Sequence, residues 1–485
     1  MSIKNDQLLA FGSNGHGQLG IGTNIDVNVP TECLFSSLNQ VRDLILNNEF
    51  PPIIISGGGN HSAFITHNGE LWMSGLNSDG QCGSLNSNIV TTATQKQISL
   101  ATIYHKVILK DPENKMEIKW KYVACGWAFT VAIAQKHGLV YTFGKGLHGE
   151  LGCGNLIKSS NNQILQIENL QEIKKVVCGL RHCIGLTNDG ICFGWGSNKY
   201  GQLGPSQKDS EHYNAKELVQ EKLNISELSE KIKTAKKDEC YFKPIKILIG
   251  IEEKIEDIAC GQHHTLVLTC TGQVYTFGLN KYGQLGYASP LKIQNCMIPK
   301  QVTNLPSKVI NISCGWNTSM VLCDDNKVLM WGRNDHGQLG KVNAEINDPN
   351  ENKEIKENES GYTHNPVPLY YLPQYVLFPK SSKIQSCTCG SEHSLVISTS
   401  NECFSWGWNE HGNCGIGNNI DQWTPVKINL SNKHIIKKIG TGSKNGSTYS
   451  NPSYACLQKT FRFRIGDLVY YACLGLGAGF ETGFS

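Results

Sequence analysis

Seven times along this chain of 485 residues one ten-residue phrase returns. It opens on an aromatic residue, or serine in one copy, followed by glycine. It closes on Gly-Gln-Leu-Gly or a near variant. The copies are FGSNGHGQLG at 11–20, SGLNSDGQCG at 74–83, FGKGLHGELG at 143–152, WGSNKYGQLG at 195–204, FGLNKYGQLG at 277–286, WGRNDHGQLG at 331–340 and WGWNEHGNCG at 406–415. Such a repeat constrains the fold more than composition can. One unit cannot bury its apolar face alone, so several must stack or close into a ring.

Six of the phrases follow a second motif: GGGNHSAFIT at 57–66, CGWAFTVAIA at 125–134, CGLRHCIGLT at 178–187, CGQHHTLVLT at 260–269, CGWNTSMVLC at 314–323 and CGSEHSLVIS at 389–398. Each carries a short apolar run, then a polar turn such as Thr-Asn-Asp-Gly at 187–190, then a second apolar run. That is a β-hairpin written into every unit. The first phrase has no such partner upstream, and the segment 435–457 is a degraded upstream motif with no phrase after it. The two half-units complete each other if the chain is circular. The prediction is an all-β, seven-bladed β-propeller over residues 1–459, closed by N- and C-terminal strands that share one blade and so remove the exposed edges. The last glycines of the phrases, Gly20, Gly83, Gly152, Gly204, Gly286, Gly340 and Gly415, are read as turn positions that need positive φ.

Insertions interrupt the pattern at about 84–118, 205–243 and 341–365. They occupy equivalent points in the unit, which places them on one side of the ring. Within the longest, Leu218, Ile225, Leu228 and Ile232 fall near helical spacing, so a helical excursion is expected. The segment 343–365 is polar and acidic and is expected to be mobile. Residues 460–485 form an uncharged, apolar tail around 468–480 that is too short to span a bilayer and has no assigned role.

Net charge is only +3, with five arginines (Arg42, Arg181, Arg333, Arg462, Arg464) and no basic tract at the N-terminus. This argues against a nucleic-acid grip. No signal peptide precedes the first strand, and 19 cysteines is an odd number, which favours free thiols in the cytoplasm, with the nucleus as the alternative compartment. Cys125, Cys178, Cys260, Cys314 and Cys389 each precede the motif glycine and read as small apolar residues in crowded strands. No P-loop, HExxH, GxSxG or kinase set is present, so no catalytic residue, cofactor or metal is assigned.

Three sets of side chains remain as candidates. His61, His182, His264 and His393 share one position of the upstream motif, three residues after its glycine. Each belongs to a different blade, and each is expected to bond backbone within its own blade; His263 beside them is expected to face solvent. His16, Asp79, His148, Tyr200, Tyr282, His336 and His411 precede the glycine that opens each closing Gly-Gln-Leu-Gly and vary while their neighbours repeat. They read as turn tips forming a rim for protein recognition. Trp127, Trp316 and Trp408 either pack between blades or present an anchor.

The CGxxH[ST] and [FW]GxNxxGQLG pair resembles the regulator of chromosome condensation (RCC1) repeat over residues 8–457, so the propeller is expected to be of RCC1 type. Within that family, GGGNHSAFITHNGELWMSGLNSDGQ, CGSEHSLVI and CFSWGWNEHGNCG resemble a cytosolic member linked to a small GTPase and to exocyst-dependent secretion. The resemblance implies a guanine nucleotide exchange factor or regulator of a small GTPase. It acts by protein binding, with an exocyst component as a further partner. The alternative is a propeller scaffold that binds a vesicle-tethering or other protein without exchange. The exchange factor for Ran in this family interrupts one phrase with a short wedge, and here every phrase runs uninterrupted. Plant ultraviolet photoreceptors of the family need tryptophans facing arginines across a dimer, which five arginines fit poorly.

Overall fold

The structure, a computed structural model, describes residues 6–36, 52–84, 100–154, 157–205, 240–287, 294–340, 369–379, 382–430, 439–441 and 455–460. The helix expected around Leu218–Ile232, the acidic segment 343–365 and all but the first residue of the tail 460–485 lie outside these residues. Among the described residues there is no helix long and apolar enough to cross a membrane.

Seven four-stranded antiparallel sheets stand around an axis. Blade 1 runs from strand Pro52–Gly57 to Leu100–Val107, blade 2 from Trp120–Cys125 to Leu165–Gln166, and blade 3 from Ile173–Cys178 to Cys240–Lys246. Blade 4 runs from Ile255–Cys260 to Asn295–Gln301, blade 5 from Val309–Cys314 to Leu369–Tyr375, and blade 6 from Ile384–Cys389 to Gln422–Lys427. Blade 7 takes its two inner strands, Ile439–Thr441 and Ala455–Thr460, from the C-terminal part of the chain, and its outer two, Asp6–Gly12 and Val27–Glu32, from the N-terminal part. Asp6–Gly12 pairs antiparallel with Ala455–Thr460, Leu9 opposite Leu457. The innermost strands touch in a closed cycle, blade 7 meeting both blade 6 and blade 1. This is the shared-blade closure that the half-units imply.

The expected hairpin forms the middle of each blade. In blade 4, His264–Thr269 pairs with Val274–Leu279, with His264 opposite Gly278. The second strand of each of blades 1 to 6 is buried along its whole length, for example HSAFIT at 61–66 and HTLVLT at 264–269, as a strand must be when its sheet is covered on both faces. The core is divided accordingly. Among the described residues it consists of seven apolar clusters, each spanning two neighbouring blades: Phe64 and Trp72 of blade 1 pack on Leu8 and Ala10 of blade 7, and Leu395 and Ile397 of blade 6 pack on Leu9 and Phe11. Phe11, Phe143, Trp195, Phe277, Trp331 and Trp406, the aromatic residues that open the phrases, have no exposed surface.

The phrase itself is a turn built from its repeated side chains. Its asparagine accepts the N–H of the residue before the last glycine: Leu19 N to Asn14 Oδ1 at 2.9 Å, Leu285 N to Asn280 Oδ1 at 3.0 Å, Leu339 N to Asn334 Oδ1 at 3.0 Å. Its glutamine curls back onto the N–H two residues earlier, as in Tyr200 N to Gln202 Oε1 at 2.8 Å. The last glycine has positive φ in all seven copies. At Gly20 (φ 66°) a Cβ would also collide with the Tyr104 ring.

The insertion boundaries need correction. Leu100–Val107, inside 84–118, is the outermost strand of blade 1, and Cys240–Lys246 starts inside 205–243. An apolar run pairing with a strand far back in the chain leaves no local periodic mark. Leu100, Cys240 and Leu369, where the chain re-enters after each insertion, pair with Leu76, Ser197 and Arg333 at the phrase end of their blades. All three insertions are therefore anchored on one face.

Deleting residues 1–12 removes the third strand of blade 7, withdraws Leu8, Leu9, Ala10 and Phe11 from the clusters, and uncovers two strand edges. The shortened protein is expected to melt about 10 °C or more below the full chain and to associate, read by scanning fluorimetry and light scattering. An unchanged melting point would place ring closure elsewhere.

Candidate functional site: the phrase face

In blades 1 to 6 the phrase turn and the turn between the first two strands emerge at the same end, because residues such as His182, His264 and His393 sit opposite Gly196, Gly278 and Gly407. One face of the ring therefore carries both repeated motifs, and it is built seam by seam. The backbone carbonyl at the glutamine position accepts a bond from the next blade: Ser62 Oγ to Gln18 O at 2.6 Å, Thr130 Oγ1 to Gln81 O at 2.8 Å, Thr265 Oγ1 to Gln202 O at 2.7 Å, Ser319 Oγ to Gln284 O at 2.8 Å. Where the phrase opens on tryptophan, the indole N–H can join: Trp195 to Glu150 O at 2.9 Å, Trp331 to Gln284 O at 2.9 Å, Trp406 to Gln338 O at 2.8 Å.

Three of the four motif histidines also work across this seam, and not within their own blades as expected; His393 does not. His61 Nε2 lies 2.8 Å from Thr130 Oγ1, His264 Nε2 3.0 Å from Ser319 Oγ, and His182 Nε2 3.4 Å from Thr265 Oγ1. Each hydroxyl already donates its proton to a glutamine carbonyl. The ring must therefore be the donor, neutral and protonated on Nε2. Burial holds His61, His182, His264 and His393 down at about 3. The preceding glycine is a steric requirement: a Cβ on Gly261 or Gly390 would sit inside the ring of His264 or His393.

The rim residues are not free turn tips. His16, Asp79, His148, Tyr200, Tyr282, His336 and His411 are all half-buried, while the residue before them is exposed in most phrases, as at Ser78, Leu147, Lys199, Lys281 and Glu410. Most lean onto the next blade. Lys145 lies 4.0 Å from Asp79. The Tyr200 ring packs 4.7 Å from His263, which is therefore half-buried, not solvent-facing, and is held down to about 4 by burial and by Arg181 and Lys199. Arg333 stacks 5.5 Å over Tyr282 and pairs with Asp335 and, at 3.3 Å, with the buried Glu392. His148 is lowered by burial and by Arg181 and Lys145. Of the tryptophans, Trp316 and Trp408 are 8% and 3% exposed, so they pack between blades. Trp408 sits 5.5 Å from His336 and 6.0 Å from His411.

Two seams carry His–Asp pairs: His336 Nδ1 to Asp421 Oδ2 at 2.8 Å, and His411 Nδ1 to Asp26 Oδ2 at 2.5 Å. The same carboxylates accept the backbone N–H of Asn409 and Asn14 at 2.8 and 2.6 Å. Burial opposes a charge on His336, but the bond to Asp421 and the charges of Asp335, Asp421 and Glu392 outweigh it and raise its pKa. Asp26 and Asp421 were not singled out in the sequence. The available signal was a second repeat, GIGTNIDVNVP at 20–30 and GIGNNIDQWTP at 415–425, hidden because it occurs only twice and directly follows the stronger phrase.

Among the described residues no group of three or more potential metal ligands converges. The RCC1-like domain family matches residues 6–446. The chain belongs to that family. It is similar to the mouse (Mus musculus) secretion-regulating guanine nucleotide exchange factor, 30% identical over 435 residues that cover 87% of this chain and 78% of the relative. It is also similar to the ultraviolet-B receptor UVR8 of Arabidopsis thaliana, 28% identical and covering 88% and 78%. Among solved structures it resembles Prp20p of Saccharomyces cerevisiae, whose binding to Gsp1p and histones has been studied. That likeness has a TM-score of 0.65 at 19% identity, covering 96% of this chain and 93% of that one, and it speaks to the fold.

Among the described residues neither ring nitrogen of His393 has a hydrogen-bond partner, and Phe129 fills the same place in blade 2. His393→Phe is therefore expected to keep or raise stability at pH 7. The unfolded chain takes up a proton below about 6.5 while the folded ring stays neutral to about 3, so wild type loses stability as pH falls through that window. At pH 5 the variant should gain about 2 kcal/mol more over wild type, measured by urea unfolding at both pH values. An equal difference at both would contradict a neutral buried ring. His336 has the opposite sign. Its raised pKa stabilises the fold fully below about 6.5 and less as pH rises through the folded value, so His336→Gln should be most costly at pH 6 and progressively less so toward pH 9.

Proposed function

We propose that this protein regulates a small GTPase, as a guanine nucleotide exchange factor or as a protein that binds one, and that it does so through the phrase face without chemistry of its own. The observation that carries the reading is the likeness to the mouse secretion-regulating exchange factor over most of both chains. The geometry is compatible with it. The arc over blades 2 to 4 presents Lys145, Arg181, Lys199 and Lys281 with half-buried His148, Tyr200 and Tyr282, the mixture of arginine, aromatic and cation that suits protein recognition. The rim His16, Asp79, His148, Tyr200, Tyr282, His336 and His411, with Trp408 as its buried support, is the contact surface in this reading. The insertions anchored on the same face would perturb the nucleotide-holding loops of the GTPase. A secretory role, a cytoplasmic or nuclear setting and an exocyst component as further partner rest on the same likeness.

One observation favours a second reading, a scaffold for a vesicle-tethering or other protein. All seven phrases run uninterrupted, so no wedge enters the phrase face from within them. The two readings separate in a pull-down with the full chain, once with EDTA and once with magnesium and GTP, followed by mass spectrometry. A small GTPase enriched only under EDTA is the expected result, since an exchange factor binds the nucleotide-free form most tightly. Partners recovered equally in both conditions, with no GTPase among them, would leave the scaffold.

A further inference from the structure

Away from the basic arc, the outer edge of blades 6 and 7 has an unusual surface. Ile25 and Ile420 are 68% and 70% exposed, Val29 and Trp423 49% and 50%. They come from the twice-occurring GIGxNIDxxxP segment, which lies at equivalent points of adjacent blades. The two copies are joined: Asn28 Nδ2 donates to Asn419 Oδ1 at 2.9 Å, Gly417 N donates to the Asn28 carbonyl at 2.7 Å, and His411 binds Asp26. A monomeric surface scatters single apolar residues, but several together on a rigid frame mark an interaction site.

Charge narrows what could cover it. Residues 8–36 contain Asp26 and Glu32 and no lysine or arginine; residues 402–427 contain Glu402, Glu410 and Asp421 against one cation, Lys427, which pairs with Glu402 at 2.6 Å. Glu32 and Glu410 are exposed. In a chain of net charge +3 this sector is apolar and acidic. The outer strands Val27–Glu32 and Gln422–Lys427 each carry a proline, Pro30 and Pro425, which withdraws an N–H from the edge and works against strand addition. Recognition here would run through side chains. We infer that the outer edge of blades 6 and 7 is a docking surface for a segment of another protein that combines large apolar side chains with lysine or arginine. Ile420 and Trp423 take the apolar groups, and the exposed carboxylates of Glu32 and Glu410 take the cations. This surface is separate from the basic arc and does not depend on GTPase binding.

The test uses the full chain and a fluorescein-labelled synthetic peptide alternating leucine with lysine, with a second peptide carrying glutamate in place of lysine. Binding is read by fluorescence anisotropy at low and high salt. The lysine peptide is expected to bind, more weakly at high salt. Its affinity should fall at least about tenfold, or about 1.4 kcal/mol, in Ile420→Ser/Trp423→Ala. Ile310→Ser, which removes an equally exposed apolar group from blade 5, should bind like wild type. If the double variant fails to fold, Ile25→Ser/Val29→Ser makes the same cut from blade 7. Equal binding of the glutamate peptide, or undiminished binding by the folded variants, would overturn the proposal. So would a wild-type dimer in light scattering that the variants abolish, since a second copy would then occupy the patch.

Discussion

The ring depends on one hydrogen bond repeated at the seams, in which the carbonyl at the glutamine position accepts from a hydroxyl or an indole of the following blade. Burial of the seven interblade clusters supplies most of the driving force, but it is non-directional and would allow neighbouring sheets to slide. A buried carbonyl left unpaired is costly, so the seam bond fixes each blade's rotation against the next. The glutamine is used twice. Its side chain closes its own turn and its carbonyl orients the neighbour, so the residue is held by the fold on both sides.

Blade 2 tests how much of this arrangement can vary. Its phrase has Gly146 where the others have asparagine and Glu150 where five of the other six have glutamine. The segment after this phrase is tied to it by Gly146 N to Lys158 O at 2.7 Å and Gly144 N to Ser160 Oγ at 2.8 Å. Burial pushes Glu150 up to about 7, so near neutral pH it is partly a neutral glutamine mimic, and it still accepts the His148 N–H at 2.7 Å. On the far side of the seam Cys183 stands in for the hydroxyl at 3.7 Å from the Glu150 carbonyl, and Trp195 carries the bond. The seam tolerates exchange of the donor as long as the acceptor and its direction are kept.

This explains what could be read from the chain. The ring, its closure and the turn glycines were legible because they are enforced seven times by the same local geometry, and a requirement repeated that often shows as a period. The roles of His61, His182 and His264 were not legible. Their hydroxyl partners lie 55 to 83 residues away in the next blade, and a period records a position without saying which neighbour it serves. His263 and the rim were misjudged as open for the same reason. Variability at a turn suggests exposure, yet a rim side chain can vary with the blade it leans on, as Tyr200 on His263 and His336 on Asp421 illustrate. The outer strand Leu100–Val107 was missed because it lies beyond an insertion of its own blade.

The same mechanics let one ring carry two different surfaces. At five rim positions the N–H is held by the glutamine side chain, and at His148 by Glu150, so the side chain can change without disturbing the turn. The seams are then free to diverge: cations and aromatics over blades 2 to 4, carboxylates and open apolar groups over blades 6 and 7. Because the seams are rigid, the angle between these sectors is fixed by the blade count. Two partners held on them would be kept in a constant relative orientation, whatever their own flexibility.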